Sequence, residues 1–208
     1  MNLRKWLRLF LATIAIGAAA SLVIGVSMQV TDPDYSHLRA DEWAYNVLMM
    51  VLSGFTMGAF AHMGFFAYLM LNYIARSIFK RPYLWIALQG FVTVFVLVEI
   101  AVNVYDTKLP AASYWALPLA LAAASLLVAW WKTSETNAGA WIPTLFFLIV
   151  VTVLEGIPSF RTALDTGKIS SLVYQLAPLF ICNTYQIMKL HRVLEPAAGD
   201  SGVSAKQA

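Results

Sequence analysis

Apolar residues in this chain come in long runs separated by short polar intervals, without the strict alternation of a half-buried strand. Six runs stand out: Leu7–Val30, Trp43–Ala75, Tyr83–Tyr105, Ser113–Trp131, Trp141–Phe160 and Ser171–Leu190. A helix needs about 20 mostly apolar residues to cross the ~30 Å hydrocarbon layer of a bilayer. Lipid gives the backbone no hydrogen-bond partners, so such runs must close their own bonds as helices. The pattern predicts an all-α membrane protein, a polytopic bundle of six transmembrane helices over residues 1–190. A short tail over 191–208, rich in Ala, Gly and Ser, is expected to be disordered. The second run holds 33 residues and would extend about 50 Å as a straight helix. It is expected to tilt, to bend near Gly54 and Gly58, or to begin along the surface.

The opening "MNLRKWLRLFLATIAIGAAAS" has the basic start, apolar middle and small residues of a secretory signal. The apolar run continues through "LVIGV" to spanning length, so an uncleaved first helix is expected. Orientation follows from Lys and Arg. With the N-terminus inside, Arg4, Lys5, Arg8, Arg76, Lys80, Arg81, Lys132, Lys189, Arg192 and Lys206 share the inner side, ten of the 14. Arg39, Lys108, Arg161 and Lys168 face the other side, which places both termini in the cytoplasm. Trp43, Trp85, Trp115, Trp131 and Trp141 fall near segment ends, where interfacial aromatics belong.

Composition agrees with this class. Of the 208 residues 60% are hydrophobic and 12% charged, with mean hydropathy +0.70, against roughly 25% charged in ordinary soluble domains. The single cysteine, Cys182, allows no internal disulfide and no CxxC motif. No basic, aromatic-interleaved face suggests nucleic acid. The inter-run segments are too short for a soluble catalytic domain, and HExxH, GxSxG and kinase signatures are absent. "DTGK" at Asp165–Lys168 lacks the upstream glycine of a phosphate loop and reads as a turn. No catalytic residue, cofactor site or metal site is expected.

Chemistry, if present, must come from polar residues inside the helices. Gly54, Gly58 and His62 recur every four residues, so they share a helix face that admits close approach of a neighbour. The first helix carries a matching stripe, Gly17–Ser21–Gly25. The third carries Glu99, Asn103 and Asp106, and the fifth Thr152, Glu155 and Ser159, with Pro158 beside them able to free a carbonyl. On the sixth, Gln175, Cys182 and Gln186 share a face with Asn183 adjacent. Both glutamates are expected above His62 in depth. Each must be protonated, face water or bond to another helix, because burial disfavours a charged carboxylate. Hydrogen bonding between packed helices is one role for these groups. A proton or ion relay through His62, Glu99 and Glu155 is another, and would make the protein a small ion- or proton-coupled transporter. An intramembrane enzyme is the third class. The aromatic run "FFAY" is expected to serve packing.

Several stretches together carry a family resemblance: "RKWLRLFLATIAIG" near the start, "MGFFAYL" (Met63–Leu69), "TNAGAWIPTLFFLIVVTVLEGIP" (Thr136–Pro158) and "APLFICNTYQIMKLH" (Ala177–His191). In that order and over nearly the whole chain, they resemble the KinB-signalling pathway activation proteins, the KbaA family. The resemblance implies a six-helix, multi-pass protein of the bacterial cytoplasmic membrane in endospore formers. It further implies a non-enzymatic role promoting activation of a KinB-like membrane sensor histidine kinase that feeds the sporulation phosphorelay. The implied partners are that kinase and the lipid bilayer, with homo-oligomerisation left open. No active site transfers with the family. Glu155, Pro158, Asn183, Tyr185 and Gln186 stand out within the matching stretches as polar or backbone-shaping positions.

Overall fold

The computed structural model describes residues 3–31, 39–105, 111–158 and 169–194. Among these residues six helices follow one another: α1 (Leu3–Thr31), α2 (Ala40–Ile78), α3 (Pro82–Tyr105), α4 (Ala111–Glu135), α5 (Ala138–Pro158) and α6 (Ile169–Leu194). No strand occurs among the described residues. Helices α1 to α5 each contain a stretch long and apolar enough to cross a membrane. Helix α6 is 26 residues long but carries Gln175, Asn183, Gln186, Lys189, His191 and Arg192, which lower its hydropathy. It runs to Leu194, past the expected boundary at 190. The tail beyond it, Asp106, Ser159 and the "DTGK" stretch lie outside the described residues.

The second run forms one uninterrupted helix of 39 residues, about 58 Å long at 1.5 Å per residue. Its start is well specified. The Arg39 backbone N–H donates to Glu42 Oε2 at 2.8 Å, and Asp41 and Glu42 place negative charge beside the positive end of the helix. Gly54 and Gly58 do not interrupt it; they bring it against α1.

The helices sort into two groups. Helices α1, α2 and α6 pack on one another, and α3, α4 and the first half of α5 form a second set. Direct contact between α2 and α3 is slight, although they are consecutive. Asn72 Oδ1 accepts from Trp85 Nε1 at 2.8 Å and Gln89 Nε2 at 3.3 Å, tying these two helices near their shared loop.

Helix α5 joins the two groups and is not uniform. It opens with a 3-10 turn at Ala138–Ala140, becomes α-helical over Trp141–Phe146 and widens into a π turn at Phe147–Val151 before 152–158 complete it. Pro143 is tolerated because it sits in the first α turn, where its N–H would lack an intrahelical acceptor anyway. All five residues of the π turn are buried. Four of them, Phe147, Leu148, Val150 and Val151, belong to the main core with Trp6, Leu9, Phe65, Tyr68 and Ile187. Phe65 and Tyr68 from "FFAY" meet Phe147 with ring centroids at 5.6 and 4.9 Å, so these rings are core packing between α2 and α5.

Candidate functional site

Two contacts define the centre of the α1/α2/α6 group. The first is a backbone-to-backbone seam between α1 and α2. A Cβ added at Gly54 would stand 2.5 Å from both the Gly17 carbonyl oxygen and Ala18 Cα, and one at Gly58 would stand 2.7 Å from Ile14 Cα. Only hydrogen fits in these places, so the glycines set how near the two helices come. Thr13 and Ser21 continue the α1 stripe and are fully buried. Each has an outlet for its hydroxyl: Thr13 Oγ1 donates to Leu9 O at 2.8 Å, and Ser21 Oγ to Met57 Sδ at 3.5 Å. Helix α6 closes over the seam, with Cys182 Sγ donating to Thr13 O at 3.6 Å.

His62 sits one turn beyond Gly58 and is buried. Its ring lies 5.0 Å from Phe10 of α1 and 4.8 Å, edge on, from Phe66. Nδ1 is buried with no hydrogen-bond partner among the described residues. Its surroundings are therefore aromatic packing between α1 and α2.

The second contact is polar. Asn183 of α6 is fully buried and donates through Nδ2 to Thr152 Oγ1 at 3.0 Å and to Glu155 Oε2 at 2.8 Å. Thr152 and Glu155 stand three residues apart on α5, so both face the same neighbour. The other carboxyl oxygen, Glu155 Oε1, fills the space that a side chain at Gly64 of α2 would need. Three helices thus meet at one carboxyl group. The cluster is only half satisfied. Glu155 Oε1, Asn183 Oδ1 and both amide atoms of Gln186 are buried without a partner among the described residues.

Glu155 does not lie above His62. It touches α2 at Gly64, two residues along from His62 on the same helix. The expectation measured depth from each helix's own end, but the ends are not level. Gly64 is about 36 Å from the start of α2, whereas Glu155 is one turn, about 5 Å, from the end of α5.

The KbaA family profile, described as KinB-signalling pathway activation in sporulation, matches residues 17–193. The chain belongs to the KbaA family. It is similar to the KinB-signaling pathway activation protein of Bacillus subtilis (strain 168), with 25% identity over 196 residues, covering 91% of this chain and 97% of the relative. No solved structure matches it. The KbaA match takes in the polar contact and most of the seam: Gly17, Gly54, Gly58, Gly64, Glu155 and Asn183 lie within it, while Thr13 and Ile14 precede it.

Other positions of this KbaA chain fall outside the cluster. Glu99 is on the exposed face of α3, and the bonds of Glu155 run to α6, so the two glutamates do not share a site. Asn103 lies in α3, but its side chain is outside the described residues. Pro158 ends α5 at an exposed position. No group of three or more His, Cys, Asp or Glu suited to a metal ion occurs among the described residues.

Sequence reasoning missed three participants. Gly64 lies off the four-residue stripe of Gly54 and Gly58, and its role shows only when Glu155 arrives from α5. Tyr68 donates its hydroxyl to Pro143 O at 3.2 Å, linking α2 to the first α turn of α5. Lys132, at the end of α4, is buried across α6, with Nζ 3.4 Å from Met188 O and 3.0 Å from His191 Nδ1. In the sequence it entered only as one of the ten positive charges that set orientation.

Proposed function

We propose that this chain is an integral membrane accessory protein with six spans and both termini in the cytoplasm, which promotes activation of a KinB-like sensor histidine kinase feeding the sporulation phosphorelay. The observation that carries this reading is the match to a pathway-activation family over residues 17–193, on a chain with five helices apolar enough to cross a membrane. The topology is supported by the contact of Lys5 Nζ with Arg192 O at 3.4 Å, which joins the start of α1 to the end of α6. Lys132 Nζ also reaches Met188 O near the end of α6 at 3.4 Å. In this reading Arg4, Arg8, Arg76, Lys80, Arg81 and Lys189 share that side, which the distribution of positive charge favours as cytoplasmic. Helix α6 crosses with its polar residues turned toward α1, α2 and α5 rather than toward lipid.

Activation then works through helices. A membrane protein biases a kinase through helix contacts by binding its signalling and resting states unequally. Shifting a two-state population from 1:99 to 99:1 takes about 5.5 kcal/mol of differential affinity, within reach of one transmembrane contact surface. Non-enzymatic action fits the family's description as a pathway activation protein.

The test is in vivo cross-linking of the tagged protein in cells entering sporulation, followed by mild-detergent capture and mass spectrometry. Enrichment of a sensor histidine kinase over a control membrane protein is the expected result. Recovery of this chain alone, with cross-linking verified on a known membrane complex, overturns the reading.

The half-satisfied cluster at Glu155 and Asn183 favours a second reading, a small ion- or proton-coupled transporter. It requires Glu155, with His62 two residues from Gly64 on α2, and leaves Glu99 without a role. Substrate-dependent flux in liposomes, lost in Glu155→Gln, is its signature.

A further inference from the structure

Helix α5 has different surroundings on the two sides of its π turn. Before the turn, Trp141–Phe146 packs with α3 and α4. After it, Thr152 and Glu155 reach α6, and Glu155 reaches Gly64 of α2. The turn itself touches α2, α3, α4 and α6. A π turn breaks the regular ladder of helix bonds and is one of the recognised places where a helix bends. Here the Phe147 N–H is shared between the Pro143 and Thr144 carbonyls, and the Thr152 N–H turns to Ile149 O.

Beyond the turn, little apolar surface holds the helix in place. Leu154 is 58% exposed and Ile157 43% exposed, Val153 is only half-buried, and the buried positions are Thr152 and the small Gly156, with Glu155 half-buried beside them. The inward grip is therefore mainly polar, and its polar groups are incompletely matched. Buried acceptors without partners oppose the closed arrangement, and the grip itself holds two such atoms, Glu155 Oε1 and Asn183 Oδ1. Moving 152–158 outward would give up two hydrogen bonds from Asn183 and would release those two atoms from their unmatched burial. The opposing contributions are of similar kind and number. A segment held in this way is poised between two positions.

We propose that residues 152–158 form a strap that opens and closes about the π turn at Phe147–Val151, with Glu155 seated against Gly64 and Asn183 as its catch. The α1/α2 seam, locked by backbone contact at Gly54 and Gly58, is the fixed frame against which the strap moves. The proposal does not depend on the identity of any partner and is tested on the purified protein.

The test places spin labels at Leu154 and Tyr73 in a Cys182→Ala background, in lipid nanodiscs, and reads their separation by pulsed electron paramagnetic resonance. Both positions are exposed, as is Val23, which pairs with Tyr73 to report on the α1/α2 frame. The main population of the parent protein is the closed distance. Asn183→Ala removes the catch and Gly64→Ala wedges it, so each adds a second Leu154–Tyr73 population and leaves the Val23–Tyr73 distribution unchanged. An unaltered Leu154–Tyr73 distribution in whichever of the two variants folds overturns the strap. So does equal broadening of the Val23–Tyr73 distances, which would mean that the whole bundle loosens.

Discussion

Replacing glycine by alanine adds the same methyl group everywhere, yet the structure gives two glycines of this protein opposite responses. At Gly54 the new Cβ would stand 2.5 Å from Gly17 O and Ala18 Cα, whereas carbon contacts settle near 3.5–4.0 Å. The obstructing atoms belong to the α1 main chain and cannot rotate aside, so α1 and α2 must part by roughly 1 Å. Overpacking of this kind costs about 1–3 kcal/mol. The separation also forfeits a quarter to a half of each dispersion contact along the seam. The helix itself gains about 0.5–1 kcal/mol when alanine replaces an interior glycine, so Gly54→Ala should destabilise by about 2 kcal/mol net. At Gly90 the nearest atom to an added Cβ is Ile142 Cγ2 at 3.8 Å, an ordinary contact. Gly90→Ala should therefore stabilise by about 0.5–1 kcal/mol. The check is reversible unfolding of both variants in mild detergent, followed by helical circular dichroism. A shift of the same sign and size in the two variants, or a stabilised Gly54→Ala, would falsify the claim that backbone contact at Gly54 fixes the α1/α2 distance.

Two further outcomes follow from the same reasoning. Gly64→Ala pushes a methyl into the Glu155 carboxyl group and should cost about 1–3 kcal/mol, but in a Glu155→Ala background the space is free, so the double variant should be little less stable than Glu155→Ala; additive losses in the cycle would show that Glu155 does not occupy that notch. His62→Leu removes a buried nitrogen that has no partner among the described residues and keeps an apolar body against Phe10 and Phe66, so stability and signalling should both persist; normal folding and abundance with signalling lost in both His62→Leu and His62→Asn would instead assign His62 a titrating role.

Much of this protein is written locally along the chain. The six helices follow from apolar runs that can satisfy their backbone only internally, and each observed helix contains or nearly contains its predicted run. The α1/α2 seam was legible as well. Small residues every four positions mark one face of one helix, and two such stripes, Gly17–Ser21–Gly25 and Gly54–Gly58, make a natural pair. The family likewise came from ordered motifs spread over the chain, and the profile match over 17–193 agrees with it.

What the sequence could not supply is relative height and cross-chain pairing. Periodicity tells which residues share a face of one helix, but carries no information on how far one helix is shifted along another. That shift brings Glu155, one turn from the end of α5, beside the middle of α2, and leaves Glu99 on an outer face of α3. It also makes Gly64 a notch rather than a spare glycine, and Asn183 the donor that joins α6 to α5. The π turn was hidden for a related reason. "FLIVV" reads as any apolar helix, and its widened geometry exists only where α2, α3, α4 and α6 press on it from all sides. Local chemistry therefore determined the helices and the faces they offer; long-range packing alone decided which faces meet, at what height, and around which carboxyl group.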